Sequence, residues 1–474
     1  MIAEIGRWGL CLTEIEQLAE RLRTFFERFR SSFRTKTHNK SEFGYHYMSG
    51  LLRLETERTM AHIARQTGMA EQNTQHFMSN SPWSGQRLIS DLQQALRQHP
   101  EFQAGAMLVI DESADQKAGH ASAGAGRQYN GRLGKIELSQ VGVFAALVTP
   151  RVNTWIDGEL FFPEHWFSDD YAEPRQKVGF PAGRTFQTKP DLAWKLIQRL
   201  RTQGVPFDAV AMDDLYGRNA ALRQRLQVAQ IEYYGDIPQN TVVYLDQPQI
   251  SAPLTKRGQP RKTYRIVAHQ RFEVRQLLEH PALEWAVLTL RPNARGHLRA
   301  RFGRCRVWTV HEGTARQEWL LIRQDNKQIT YVLSNASPTT SLETMAWRKS
   351  HRYFIERSNQ DEKGELGWDE FQAIKYLAWE HQLALTILAS WFIAETRLDW
   401  MNRFERDPAL LEQYQIDVLP RLSVRNVREL LRAAMPLPQL STQEAAALVV
   451  QHLTNRTRSR KSRLRKRRAS SFET

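Results

Sequence analysis

Apolar residues change their spacing several times along the chain, and each change marks a different kind of element. Between Leu10 and Phe29 they fall at Leu12, Ile15, Leu18, Leu22, Phe25 and Phe26, close to the helical period. From Arg58 to Phe77 the pattern predicts a short helix, a turn at Gly68 and a second helix. Ile63 before that glycine gives the pair helix-turn-helix character, with Gln72 to His76 on the helix that would read DNA. Plain packing of two helices around a glycine fits the pattern equally well.

From Ala106 the texture is that of buried strands. Met107 to Ile110 is a continuous apolar run that ends on Asp111, Val141 to Val148 is a second, and Phe207 to Met212 is a third, followed by Asp213. Asp191 to Thr202 between them reads as an amphipathic helix, so strands and helices alternate as in an α/β core. Residues 230–335 hold six strand-like segments, beginning near Thr241, Lys262, Trp285, Arg306, Glu318 and Gln328, punctuated by Gly and Pro. They predict a mostly antiparallel subdomain inserted in the core. After Ser341 the pattern is helical again. The longest apolar run, Leu383 to Ala394, is too short to span a bilayer and predicts a core helix, so no membrane partner is expected. The resulting division is a helical region over 1–100, a core over 101–228 and 341–400, a β-rich insertion over 229–340, a helical region over 401–455 and a tail over 456–474.

Composition narrows the class. The 474 residues carry 66 Lys+Arg against 51 Asp+Glu, a formal charge of +15, with 41% hydrophobic and 25% charged residues. That balance is ordinary for a globular protein and excludes wholesale disorder. Two cysteines, Cys11 and Cys305, cannot build a disulfide framework or a multi-cysteine zinc site. The first residues show an early acid and no basic-then-apolar leader, so a cytoplasmic location, against the nucleoid, is expected. Arg456 to Arg468 holds nine basic residues and no acid; without them the charge of +15 falls to +6. Such a block, Arg465, Lys466, Arg467 and Arg468 included, is expected to lie on DNA phosphates without sequence preference.

The chemistry is carried by a few acids. Asp111 and Asp213 both follow apolar strands, and the carboxyl ends of strands in open α/β sheets are where sites form. Two carboxylates there suit hard divalent cations, although a strand-end aspartate is often only a turn residue or helix cap. Glu112 adjoins the first, but a period-two strand turns it away, and Asp214 replaces Asp213 if the strand runs one residue longer. Farther along, Arg352, Glu356 and Lys363 lie four and seven residues apart, close to three helical turns, so the three share a face. The trio reads either as a salt-bridged surface or as a metal ligand between phosphate-binding cations. Gly126 and Gly131 are a near miss for a nucleotide-binding loop, since Arg132 and Leu133 follow where Lys and Ser or Thr are needed. His120, His165, His311 and His381 lack metal-ligand spacing.

Together these segments resemble the catalytic core of bacterial insertion-sequence transposases of the DDE class, in the branch named for a Tyr-x2-Arg-x3-Glu-x6-Lys signature. Arg352, Glu356 and Lys363 match that signature, while Lys349 stands in the tyrosine slot. Asp213-Asp-Leu-Tyr216-Gly217 matches the family's second motif and the strand ending at Asp111 its first. Gln128 to Gln140, Phe186 to Ala193 and Lys363 to Gly367 add further likeness, which covers roughly residues 60–395. The resemblance implies an RNase H-like core in which Asp111, Asp213 and Glu356 are the catalytic, metal-binding acids for two Mg²⁺ ions, with Mn²⁺ a substitute. It implies cleavage at the inverted repeats of an insertion element and strand transfer into target double-stranded DNA, by a homodimer on paired ends. Arg352 and Lys363 are then expected on the phosphates of the transferred end, and Arg127, Tyr129 and Lys135 on the DNA backbone. Trp285, Trp308 and Trp319 are candidates, by location in the insertion, for holding a flipped base. A nuclease of the same fold without strand transfer and a DNA-binding regulator with a decayed site are the competing readings.

Overall fold

A computed structural model describes residues 2–130, 134–251, 264–267, 270–293, 296–325, 328–439, 441–444, 446–447, 449–450, 453–454, 457–458, 460–461 and 465. Residues Met1–Met435 form one compact unit and Pro436–Thr474 a second.

Fourteen strands are seen among the described residues: β1 Met107–Gln116, β2 Gly126–Asn130, β3 Lys135–Val148, β4 Asn153–Phe161, β5 Ala209–Met212, β6 Glu232–Ile237, β7 Val242–Tyr244, β8 Gln249–Ser251, β9 Arg265–Val267, β10 Arg271–Glu273, β11 Glu284–Asn293, β12 Gly296–His311, β13 Thr314–Gln324 and β14 Ile329–Ser334. Twelve belong to one sheet with the path β10-β7-β12-β13-β14-β6-β5-β1-β3-β2; β11 pairs with β12 and β4 with β3. Its centre is the apolar α/β core read from the sequence: β1, β5 and β6 run parallel, buried over Met107–Ile110, Ala209–Met212 and Tyr233–Gly235. The strand-rich segment does form strands where its alternation predicts them, and β13, β14 and β6 pair edge to edge. That ladder carries the segment into the core sheet itself. Its apolar residues, Val243, Val274, Cys305, Val307, Leu320 and Leu333 among them, make their own cluster.

One boundary differs from expectation in a way that shapes the site. The first strand does not end at Asp111 but continues to Gln116, because β3 pairs with it over its whole length while β5 stops opposite Ile110. The apolar run therefore marks the stretch flanked on both sides by strands, and the polar continuation is the stretch flanked on one.

Seven helices matter below: α1 Met60–Gln66, α2 Glu71–Ser79, α3 Lys189–Thr202, α4 Asp214–Gly217, α5 Leu342–Ser350, α6 Tyr353–Gly364 and α7 Tyr376–Arg403. Helix α7 contains the longest apolar run and is buried throughout it, packed against the helices Ser41–Arg53 and Gly85–Gln98 and against β4. Among the described residues no helix is long and apolar enough to cross a membrane. Helices α1 and α2 form the expected pair around Gly68, whose φ of +75° suits glycine. Thr59 caps α1 by accepting the His62 N–H, Ile63 is buried, and Gln72, Asn73, Gln75 and His76 are exposed along α2. The segment that carries Arg127, Tyr129 and Lys135 is a β-hairpin arm, in which Tyr129 faces Ile136 across β2 and β3. Gly131, Arg132 and Leu133 lie outside the described residues.

Candidate active site

The site begins with strand register. Ile110 on β1 is opposite Met212 on β5, and Met212 is opposite Gly235 on β6. The next residues along the three parallel strands are Asp111, Asp213 and Asp236, which fall on one row. Because parallel strands lie about 4.8 Å apart, register alone sets neighbouring acids side by side.

The carboxylates follow. Asp111, Glu112 and Asp213 each offer an oxygen within 4.8 Å of the others, the one such group of possible metal ligands among the described residues. Asp111 Oδ1 accepts the Glu112 N–H at 2.8 Å. Asp213 caps α4, accepting from the N–H groups of Leu215 at 3.0 Å and Tyr216 at 3.4 Å, so it is both a helix cap and a member of the cluster. Asp214 points elsewhere, to an exposed ion pair with Arg218 at 2.9 Å. Glu112, expected to turn away, stays in the cluster with Oε1 on Lys189 at 3.1 Å, while its Oε2 is buried with no hydrogen-bond partner.

The electrostatics show strain in the charged state. Burial, then Asp213 and Glu112, hold the Asp111 carboxyl well above the usual carboxylate range, opposed by Arg352. Burial, then Glu112, push Asp213 up to about 6. At an effective dielectric of 20, two carboxylates about 5 Å apart repel by about 3 kcal/mol, so three full charges here call for protons or cations. Beneath them Tyr216 is fully buried, and burial and the same acids raise its phenol. Oxygen-only donors, crowded anions and an orphaned buried carboxylate oxygen fit a hard divalent cation.

The third sequence acid stands across the same cleft. Glu356, about half exposed, accepts from Arg352 Nη2 at 2.7 Å. Arg352 precedes α6, and its Nε also reaches Asp236 at 3.1 Å. Asp236 is further paired with Lys349 at the end of α5. The helix expected through all three signature residues thus starts only at Tyr353, yet Arg352, Glu356 and Lys363 do line one cleft with Asp111 and Asp213, of about 1170 Å³. Lys363 is spoken for: its Nζ sits 2.9 Å from buried Asp115 and 2.8 Å from the Ala114 carbonyl, which pins α6 to β1.

Of the other residues read as DNA contacts, Tyr129 lines the cleft and is 61% exposed, Arg127 is exposed, and Lys135 pairs with Glu137 at 2.9 Å. Arg465 is exposed in the second unit, and Lys466, Arg467 and Arg468 lie outside the described residues. Among the described residues no tryptophan lines the cleft. Trp319 is buried between the guanidinium groups of Arg304 and Arg306, its N–H on the Ser337 carbonyl at 3.3 Å, which is a packing role. Trp285 lies against Gly303 with Arg301 over its ring, and Trp308 is partly buried on β12.

Two participants went unread in the sequence. Asp236 follows the run Ile231-Glu-Tyr-Tyr-Gly235, much as the other two follow theirs, but that run is short and broken by Glu232, and the strand goes on to Ile237. Lys189 lay inside the Phe186 to Ala193 stretch of family likeness, with no role read for it.

The chain is similar to known proteins. A "Probable transposase for insertion sequence element IS701" from Microchaete diplosiphon is 26% identical over 335 residues, covering 67% of this chain and 73% of that protein. The model of the DDE superfamily endonuclease family matches residues 25–301, more than half of the chain, with Asp111 and Asp213 inside the match. The chain belongs to the DDE superfamily endonuclease family.

Proposed function

We propose that this transposase-type nuclease is a DNA transposase of the branch with the Tyr-Arg-Glu-Lys signature, which cuts insertion-element ends and joins them to target DNA. The observation that carries the reading is the charge of the cleft. Among the described residues its lining holds seven acids, Asp111, Glu112, Asp213, Asp214, Asp236, Glu356 and Asp369, against three cations, Arg218, Arg352 and Lys363. A groove whose acids outnumber its cations in this way repels a polyanion, unless it is built to be filled by cations first. Two Mg²⁺ ions carry the missing charge, and Mn²⁺ prefers the same ligands.

Asp111 and Asp213 would hold those ions from the sheet side and Glu356 from the helix side. When bound, such a pair polarises a phosphodiester and favours both the entering and the leaving oxygen of an in-line displacement. The protein's own part is to fix the geometry. Register aligns the two aspartates, the α4 cap orients Asp213, and Lys363 holds α6 against β1 so that Glu356 faces them. Arg352, and the hairpin residues Arg127, Tyr129 and Lys135, supply cationic and aromatic contacts for the DNA strand near the cut. The helix pair α1–α2, with its exposed polar residues, supports reading of the element ends, and the basic tail supports unspecific affinity. Holding two ends at once calls for a homodimer, working in the cytoplasm on the nucleoid.

The test is a Mg²⁺-dependent reaction on labelled DNA carrying the inverted repeats that border the gene, with a supercoiled plasmid as target. Cut ends together with joined product are expected. Cut ends that never join would reduce the protein to a nuclease, and no cutting by a protein that binds the repeats would favour a regulator.

A further inference from the structure

The lysine that departs from the family signature has a partner, and the pair bears on the site. Lys349 is 6% exposed and its ammonium is on Asp236, the third aspartate of the row that holds Asp111 and Asp213. Asp236 uses its second oxygen for Arg352 Nε at 3.1 Å. Arg352 then offers Nη2 to Glu356 at 2.7 Å. Its guanidinium also feels Asp111 and Asp213, and these four acids together outweigh the burial that disfavours its charge. The chain of contacts is therefore Lys349, Asp236, Arg352, Glu356, with the inner end buried and the outer end about half exposed.

The two ends differ in what they can do. A buried ion pair is costly to break, because each partner left behind is an uncompensated charge. An exposed pair between side chains four residues apart on a helix is worth little and exchanges readily. Arg352 is thus anchored through Nε and loosely held through Nη2. A guanidinium presents donors on both edges, so it can keep one carboxylate while the other edge turns to a phosphate.

We propose that Asp236 and Lys349 are a positioning pair that makes Arg352 a hand-over device. Without cations its outer edge rests on Glu356; when Glu356 turns to the ions, Arg352 stays on Asp236 and its outer edge is released to a DNA phosphate. Lys349 neutralises Asp236, so that this third aspartate of the row serves as an anchor rather than a further ligand. The inference rests on the reading of Asp111, Asp213 and Glu356 as the cation site. It predicts that cation binding strengthens DNA binding through Arg352.

The experiment measures affinity by fluorescence anisotropy with a labelled 40-base-pair duplex, in EDTA and in Ca²⁺, using the full chain. The wild type should bind about ten- to a hundredfold tighter in Ca²⁺, the range for one charge-assisted contact. Glu356→Gln should already bind tightly in EDTA and gain little. The neutral double variant Asp236→Asn with Lys349→Met, which leaves no buried charge orphaned, should bind weakly in both conditions. If it fails to fold, Asp236→Glu, which keeps the charge but shifts the anchor, should lose most of the gain. A folded anchor variant that keeps the wild-type gain overturns the proposal, as does a Glu356→Gln variant no tighter than wild type in EDTA. A wild type that cleaves DNA in Mg²⁺ yet shows no gain overturns the hand-over alone. One that neither cleaves nor responds overturns the cation-site reading and the hand-over with it.

Discussion

Replacing Gly217 with alanine should damage both stability and cleavage, through backbone contact alone. A Cβ at Gly217 would lie 2.0 Å from the Asp236 carbonyl oxygen, 2.6 Å from the Gly235 carbonyl carbon and 2.7 Å from the Asp236 nitrogen. Gly235 answers from the other side, where a Cβ would meet the Gly217 Cα at 2.8 Å. All of these partners are backbone, so no side chain can swing aside, and α4 must retreat from β6 by roughly 1 Å or more to restore ordinary contact. Helix α4 follows Asp213, whose carboxylate caps it, and Asp236 is the last residue but one of β6, so the retreat separates the acids that register aligned. Overpacking of this kind costs about 1–3 kcal/mol, and a rigid backbone places it at the upper end. A misplacement of about 1 Å at the reacting groups lowers the rate about a hundredfold. Urea unfolding should show a lower midpoint at unchanged slope, and cleavage per folded molecule in Mg²⁺ should fall about a hundredfold with DNA binding largely kept. A Gly217→Ala protein with the wild-type midpoint and rate would refute the close-approach argument and the role of register in setting the site.

Other consequences are as direct. In EDTA the folded protein keeps protons on Asp111 and Asp213 that the unfolded chain has lost, so its stability should fall as pH rises from about 4 through about 6. Asp213 accounts for about 3 kcal/mol of that fall over the whole range and for about half of it between about pH 5 and 7.5; melting temperatures at those two pH values should show that half, Mg²⁺ should reduce it, and an Asp213→Asn protein with an undiminished slope would sink the assignment. Arg127→Ala and Lys135→Ala remove exposed charges, so the melting temperature should hold while the salt dependence of DNA binding loses about one unit of slope for each; slopes equal to wild type would remove the hairpin arm from the interface. Truncation after residue 455 should lower affinity for any duplex and reduce the salt slope by several units without lowering cleavage of saturating DNA, and an unchanged slope would free the tail of any DNA role.

What could be read from the sequence was what repeats locally. The apolar runs before Asp111 and Asp213 predicted buried strands, and the row of acids follows once those strands lie parallel. The strand-like segments of residues 230–335, punctuated by Gly and Pro, predicted its strands. Pairing partners are not local: nothing in the sequence said that β14 would pair with β6 and join both regions in one sheet. The same limit explains Asp111, whose strand continues because β3 covers it, and Glu112, whose carboxylate is held in the cluster by Lys189 from another element. Lys349 was visible only as a mismatch to a signature. Its meaning depends on Asp236, more than a hundred residues earlier, and only folding brings the two together.

The central claim is that Asp111, Asp213 and Glu356 act together on DNA through bound cations, and cleavage by single variants tests it most directly. Asp111→Asn, Asp213→Asn and Glu356→Gln should each lose cleavage in Mg²⁺ by about a thousandfold or more, the scale of several kcal/mol of cation-borne stabilisation, while still binding DNA. A Glu356→Gln protein that cuts at the wild-type rate beside an inactive Glu112→Gln protein would contradict the account, and would leave the site to the three acids already gathered on the sheet.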